Sequence, residues 1–154
     1  MDHHGLIETI LKYWSVQDVE QTLGLCADTV VYQLNIAPGT TGLLVPPEAG
    51  CQAATIEQHG KDAVRAMMYD VLAKFDYLHY ETTILDIHDG VARIHIDYML
   101  RHRATGEELT GSKRFVLGIE DGLVARIDEY LDAARVGAFL RLTHWRLAQQ
   151  HVTA

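Results

Sequence analysis

Two carboxylates, an amine and a phenol are spaced so that folding could gather them into one row. Glu81, Tyr98, Lys113 and Glu129 lie in four successive runs of alternating apolar and polar residues. If the runs pair as neighbouring strands, all four share a face with Ile87, Ile94, Ile96, Phe115, Leu117 and Ile127. Charged groups on a face otherwise built for a core mark a pocket. Apolar surroundings raise a carboxylate's pKa and a nearby ammonium lowers it again, so a glutamate beside a lysine there can act as a general base. On this reading Glu129 is the base, Lys113 its partner, Tyr98 the donor to a developing oxyanion, and Glu81 a second carboxylate. The same row can also be read as a structural ion network whose charges cancel. His79, one step along the face, joins Tyr32, Trp14, Ile96, Phe115 and Ile127 as expected substrate-contacting walls.

Register decides whether that row exists, because a slip of one residue turns every side chain over. Asp89-Gly90 and Asp121-Gly122 stand between alternating runs, a strong hairpin signal. A two-residue loop at Asp89-Gly90 sets His88 opposite Val91, Leu85 opposite Ile94, Glu81 opposite Tyr98 and His79 opposite Leu100. A three-residue loop over Glu120-Asp121-Gly122 sets Phe115 opposite Ile127 and Lys113 opposite Glu129. The connection at Ala104-Thr105-Gly106 is ambiguous. Two or four loop residues place Ile96 beside Phe115 and Tyr98 beside Lys113; three would turn His95 and Asp97 inward. The even loop is preferred. It gives one apolar face and aligns Asp97, Arg114 and Asp128 outside, with Asp86 opposite Arg93.

Other elements must carry this sheet. Leu6 to Trp14 reads as a helix with Leu6, Ile7, Ile10, Leu11 and Trp14 on one stripe. A second helix is expected from Ser15, with Asp18 in a capping box and Val16, Val19 and Leu23 inward. Residues 29–36 form a strand whose Tyr32 and Asn35 face either pocket or core. Residues 36–59 hold all three prolines and read as a loop insertion, either a lid over the pocket mouth or a plain excursion. Lys61 to Phe75 carries the helical stripe Val64, Met67, Met68, Val71, Leu72 and Phe75, its methionines expected in the core. Asp132 stands at an N-cap position before a last helix that buries Val136, Phe139, Leu140 and Thr143.

Composition narrows the partners. A chain of 154 residues fits one domain spanning 1–154, and 48% hydrophobic with 22% charged residues is globular usage. The net charge of −8 argues against nucleic acid and anionic membranes. Cys26 and Cys51 lack metal-ligand spacing and a disulfide framework, as expected of thiols in the cytoplasm. Nine histidines do not assemble a clear ligand set, so no metal is expected, and no phosphate loop or nucleophile motif implies a cofactor.

The order helix, helix, strand, helix, meander resembles the cone-shaped nuclear-transport-factor-two-like fold. Within it the chain is similar to the SnoaL-like group. The resemblance rests on Ala27-Asp28-Thr29-Val30-Val31-Tyr32, Gly60-Lys61-Asp62-Ala63-Val64, Thr105-Gly106, and Asp121-Gly122 followed by Glu129-Tyr130-Leu131-Asp132. It implies an α+β fold, a curved antiparallel sheet wrapped around N-terminal helices and one long helix, with an apolar cavity. The family includes ketosteroid isomerases, limonene-epoxide hydrolases, polyketide cyclases and members with no known chemistry. The Arg and Asp that epoxide hydrolases carry on one strand fall on Ile96 and Tyr98, and their last-strand Asp on Glu129. The isomerase's oxyanion-hole Asp falls near Phe115. An isomerase, cyclase or hydrolase of a small hydrophobic polyketide-, steroid- or terpenoid-like substrate is the implied activity. The alternatives are a non-catalytic hydrophobic-ligand or dimerisation module, and an accessory subunit of a larger enzyme. Relatives with this fold pair through the outer sheet face, which implies a homodimer across Tyr80, Ile84, Met99, Val116, Val124 and Tyr130.

Overall fold

The computed structural model describes residues 1–35 and 55–153. The expected lid, Asn35's neighbour Ile36 and Cys51 therefore lie outside the described residues, apart from the end of the 36–59 insertion. That end is a strand, not loop. The elements run α1 (His3–Ser15), α2 (Val19–Gly24), β1 (Cys26–Asn35), β2 (Thr55–His59), α3 (Lys61–Lys74), β3 (Phe75–His88), β4 (Val91–His102), β5 (Glu108–Glu120), β6 (Leu123–Leu131) and α4 (Ala133–Thr153). Six strands make one mixed sheet in the order β2-β1-β6-β5-β4-β3. Every neighbouring pair is antiparallel except β1 with β6, which is parallel. The fold is therefore α+β with a curved, unclosed sheet, and the helices pack on its inner face.

Capping explains the helix starts. Asp2 accepts from the Gly5 N–H at 2.7 Å to open α1, and Asp18 accepts from Gln21 at 3.1 Å to open α2. Ser15 ends α1 rather than beginning α2, and the chain turns through Gln17 at φ 56, which leaves Val16 exposed instead of buried. Asp132 accepts from Arg135 N at 3.2 Å at the start of α4. The stripes of α1 (Leu6, Ile7, Ile10, Leu11), α3 (Val64, Met68) and α4 (Val136, Phe139) reach the core, where Ile94, Ile96, Val30 and Val124 are wholly buried.

The hairpins settle the register. Asp89-Gly90 is a two-residue loop with both φ values positive (49° and 73°), the primed turn that matches strand twist. Asp121-Gly122 is the same turn (51° and 75°), so Glu120 pairs with Leu123 and the three-residue loop does not form. Ala125 is then bulged between Val124 and Arg126, which brings Val124 inward in place of Ala125. The middle hairpin turns one residue earlier than expected, placing Ile94 opposite Phe115 and Ile96 opposite Lys113. Both changes displace pairing by two residues, which preserves the faces. They also dissolve the outer row: Arg114 pairs with His95 and Tyr130, Asp97 with Ser112, and Asp128 with Val116. Asp86 does face Arg93, bonded at 2.9 Å.

Strand β3 departs by one residue, and there the face is lost. Leu85 is skipped between Ile84 opposite Ile94 and Asp86 opposite Arg93; Leu78 is skipped between Tyr77 opposite Leu100 and His79 opposite Met99. These bulges re-aim the strand. Glu81 and His79 turn to solvent, 68% and 55% exposed, while Tyr80 and Ile84 turn onto the core. Replacing Glu81 with Ala should therefore change stability by less than about 0.5 kcal/mol, whereas Ile94→Ala should cost about 2–5 kcal/mol. Equilibrium urea unfolding of the two variants checks the assignment, and a large loss at Glu81 would contradict it.

Candidate functional site

Three strands bring one ion pair and its phenol into the sheet's inner face. Lys113 on β5 and Glu129 on β6 are not directly opposite, since Lys113 pairs with Leu131 and Glu129 with Phe115. They meet on the diagonal, within reach of a long side chain. Lys113 Nζ donates to Glu129 Oε1 at 2.9 Å, with the two residues only 7% and 8% exposed. Tyr32 on β1 reaches the same carboxylate by the same diagonal and donates its hydroxyl to Glu129 Oε2. Asn35 Nδ2 donates to the Glu129 backbone carbonyl at 3.1 Å and holds the ends of β1 and β6 together.

Aromatic rings enclose the ammonium. Lys113 Nζ stands 5.1 Å from the Phe115 ring centre, 5.2 Å from Tyr98, 5.6 Å from Tyr80 and 5.9 Å from Tyr77. All four lie within cation–π range. Burial alone would lower the lysine's pKa; Glu129 first, then Tyr80 and Tyr77, more than reverse it and hold the ammonium above the usual lysine range. Desolvation pushes the Tyr32 phenol well up, and Glu129 pushes it further. The same loss of water raises Tyr77, Tyr80 and Tyr98, with Lys113 opposing in each. The phenols are thus neutral donors.

The expected row is therefore only partly assembled. Lys113 and Glu129 meet, and Tyr98 stands beside them, buried, opposite Gly111 rather than Lys113. A side-chain carbon at Gly111 would come within 3.1 Å of the Tyr98 hydroxyl, so the glycine leaves the phenol room to lie over β5. Glu81 and His79 are on the other face. Sequence reasoning missed Tyr77 and Tyr80, although the signal was present. Moving the frame by one residue beyond Leu85 takes polar His79 and Glu81 outside and brings Tyr80 and Ile84 in.

A pocket of about 140 Å³ opens beside this cluster, lined among the described residues by Lys113, Glu129, Tyr32, Tyr77, Tyr98 and Trp14 and by apolar side chains of α3 and α4. Met67, Met68 and Val71 of α3 reach it, so these methionines serve a wall as well as a core. A smaller space of about 30 Å³ is lined by residues that include Phe115, Ile127, Tyr32 and Trp14. Ile96 is wholly buried and lines neither. Among the described residues, no three His, Cys, Asp or Glu side chains converge in a way that could hold a metal ion.

The comparisons with known proteins bear on the fold. No family model and no curated protein matches the sequence. Solved structures do match. An NTF2-like protein of unknown function from Burkholderia pseudomallei shares 14% identity at a TM-score of 0.69, covering 89% of this chain and 95% of that one. A candidate SnoaL-like polyketide cyclase from Mesorhizobium loti shares 13% at 0.65, covering 85% and 100%. A Catenulispora acidiphila protein of ketosteroid isomerase-like fold, solved with trimethylamine, shares 10% at 0.62, covering 85% and 88%. At these identities the likeness defines the fold. The chain has the NTF2-like, ketosteroid isomerase-like fold.

The cluster carries a pH signature. Tyr32, Tyr77, Tyr80, Tyr98 and Lys113 all have raised pKa values, and burial lifts the Cys26 thiol from 9.0 to about 11. A raised pKa gives stability that is complete below the unfolded value and lost as pH climbs through the folded one. Stability should fall first above about pH 9, through Cys26, and again above about pH 10 as the phenols of the unfolded chain ionise. Thermal melts of the native chain and Cys26→Ala check this, the variant lacking the first decline. Tyrosine absorbance near 295 nm should show the phenols of this cluster ionising only with loss of circular dichroism.

Proposed function

We propose that this chain is an acid–base catalyst of the SnoaL-like kind that acts on a small hydrophobic molecule in the pocket beside Lys113 and Glu129. One observation carries the reading: a buried carboxylate, held by a lysine and a tyrosine, lines a largely apolar pocket together with two further tyrosines, Tyr77 and Tyr98. Glu129 takes a proton from a carbon next to a substrate carbonyl. Tyr77 or Tyr98 donates a hydrogen bond to the oxygen on which negative charge develops. Lys113 holds Glu129 in place. Isomerisation and aldol-type cyclisation begin from such a step; in a hydrolysis the same carboxylate would instead take its proton from water.

The test is hydrogen–deuterium exchange at the α-carbon of small ketones in D2O, followed by NMR. The native chain should accelerate exchange, and Glu129→Gln should reduce it at least about a hundredfold, the usual worth of a positioned base. Exchange unchanged in Glu129→Gln, or absent in the native chain, would sink the reading. A second reading has its own support, because both Glu129 oxygens already accept hydrogen bonds within the protein. On that reading the pair is structural and the pocket only holds its ligand, alone or as an accessory subunit. A co-purified hydrophobic molecule released unchanged, without exchange activity, would favour it.

The pairing of two copies through the outer face belongs to the same proposal. Tyr80, Ile84 and Val124 have turned inward, but Met99, Val116 and Tyr130 stay on that face, and Leu78 and Leu85 are exposed at the bulges. Apolar groups so placed favour a homodimer. Light scattering at micromolar concentration should give twice the mass of 17.3 kDa, and a monomer would rule the pairing out. The single domain and a cytoplasmic setting fit the same picture, with Cys26 a free, buried thiol and no described helix long and apolar enough to cross a membrane.

A further inference from the structure

The pocket's size, charge balance and free donors restrict its ligand further than the fold does. Its volume of about 140 Å³ is close to the ~150 Å³ of an apolar protein cavity that takes up benzene. One six-membered ring fills such a space, whereas fused rings need the walls to part. Those walls are packed elements: Val136 and Phe139 of α4 and Leu109 and Tyr98 of the sheet are each under a tenth exposed.

Charge is the second restriction. Lys113 and Glu129 are the charged side chains among the described lining residues, and they neutralise each other at 2.9 Å. An anionic ligand would meet Glu129 with no cation left over; a cationic one would meet the Lys113 ammonium on the same terms. A desolvated charge without a partner is strongly disfavoured. The ligand is therefore uncharged.

The third restriction is polar. Tyr77 and Tyr98 both line the pocket, and neither hydroxyl makes a hydrogen bond to another described residue. A purely hydrocarbon ligand would strip water from these phenols and return nothing, so an acceptor oxygen is required. We infer that the ligand of this pocket is a single-ring, uncharged molecule of about seven non-hydrogen atoms bearing one carbonyl or hydroxyl oxygen, which the Tyr77 and Tyr98 hydroxyls receive. Multi-ring polyketides and steroids exceed the volume that the described residues enclose. The inference rests on the reading of this pocket as the functional site, and it holds whether or not Glu129 turns the ligand over.

Calorimetric titration of the full chain near neutral pH tests it, with cyclohexanone, cyclohexanecarboxylate, cyclohexylammonium and the two-ring ketone 2-decalone as probes. Cyclohexanone should bind saturably. Both charged analogues should bind at least about ten-fold more weakly, and 2-decalone no more tightly despite its larger apolar surface. The paired change Tyr77→Phe with Tyr98→Phe, which keeps the rings, should weaken cyclohexanone at least about ten-fold. Absence of saturable cyclohexanone binding, tighter binding of a charged probe or of 2-decalone, or unchanged affinity in the double variant would each overturn the inference. Failure of catalysis has a separate signature: ketone bound as expected, with no α-carbon exchange. Conversely, Glu129-dependent exchange on 2-decalone alone would leave the catalytic reading standing and remove this one.

Discussion

The contact between Lys113 and Glu129 joins the parts of this molecule that chain order keeps apart. Lys113 comes from β5, Glu129 from β6, and the Tyr32 hydroxyl on the second carboxylate oxygen from β1. Removing two ions from water costs several kcal/mol each, and the mutual attraction repays this only with good geometry and further hydrogen bonds. Here the geometry is good. The carboxylate has a donor on each oxygen, and the ammonium's remaining hydrogens face aromatic rings rather than hydrocarbon alone. An apolar pair of equal volume would hold a core about as well. What that substitution could not provide is a fixed carboxylate beside an apolar pocket.

Much of this arrangement was visible in the residue order, and the errors have a common cause. Two hairpins were placed two residues away from their true pairing, yet Tyr98, Lys113, Phe115 and Glu129 still emerged on the inner face. A strand repeats every two residues, so displacements by two change neighbours but not sides. In β3 the displacement was one, introduced by bulges, and Glu81 and His79 crossed to solvent. Bulges leave only a weak trace in residue types, because the skipped Leu78 and Leu85 look like ordinary inward residues. The exchange of Tyr80 for Glu81 was the trace on offer.

Contacts distant in sequence were harder to read. The parallel pairing of β1 with β6 brings Tyr32 to Glu129 across 97 positions, and no local turn announces it. The pocket's outer walls come from α3 and α4, whose apolar stripes were evident while their common target was not. A helical stripe says which side is buried, never against what. Core packing of the methionines and their place in the pocket wall are the same stripe seen from two ends.

Among the described residues, strand β3 lies at the edge of the sheet, with β4 as its one neighbour. An edge strand can gain or lose a residue without breaking a second ladder, and its two bulges sit where such a change is absorbed. Length, rather than identity, then becomes a means of altering the cavity. Gain of one residue between Thr83 and Ile84 would rotate the reading frame of the strand before it, presenting Glu81 and Thr83 to the interior where Tyr80 and Thr82 now stand, without a single substitution. Proteins built on this cone can in this way exchange an aromatic wall for an acidic one in a single genetic step, while the Lys113–Glu129 contact two strands away stays in place.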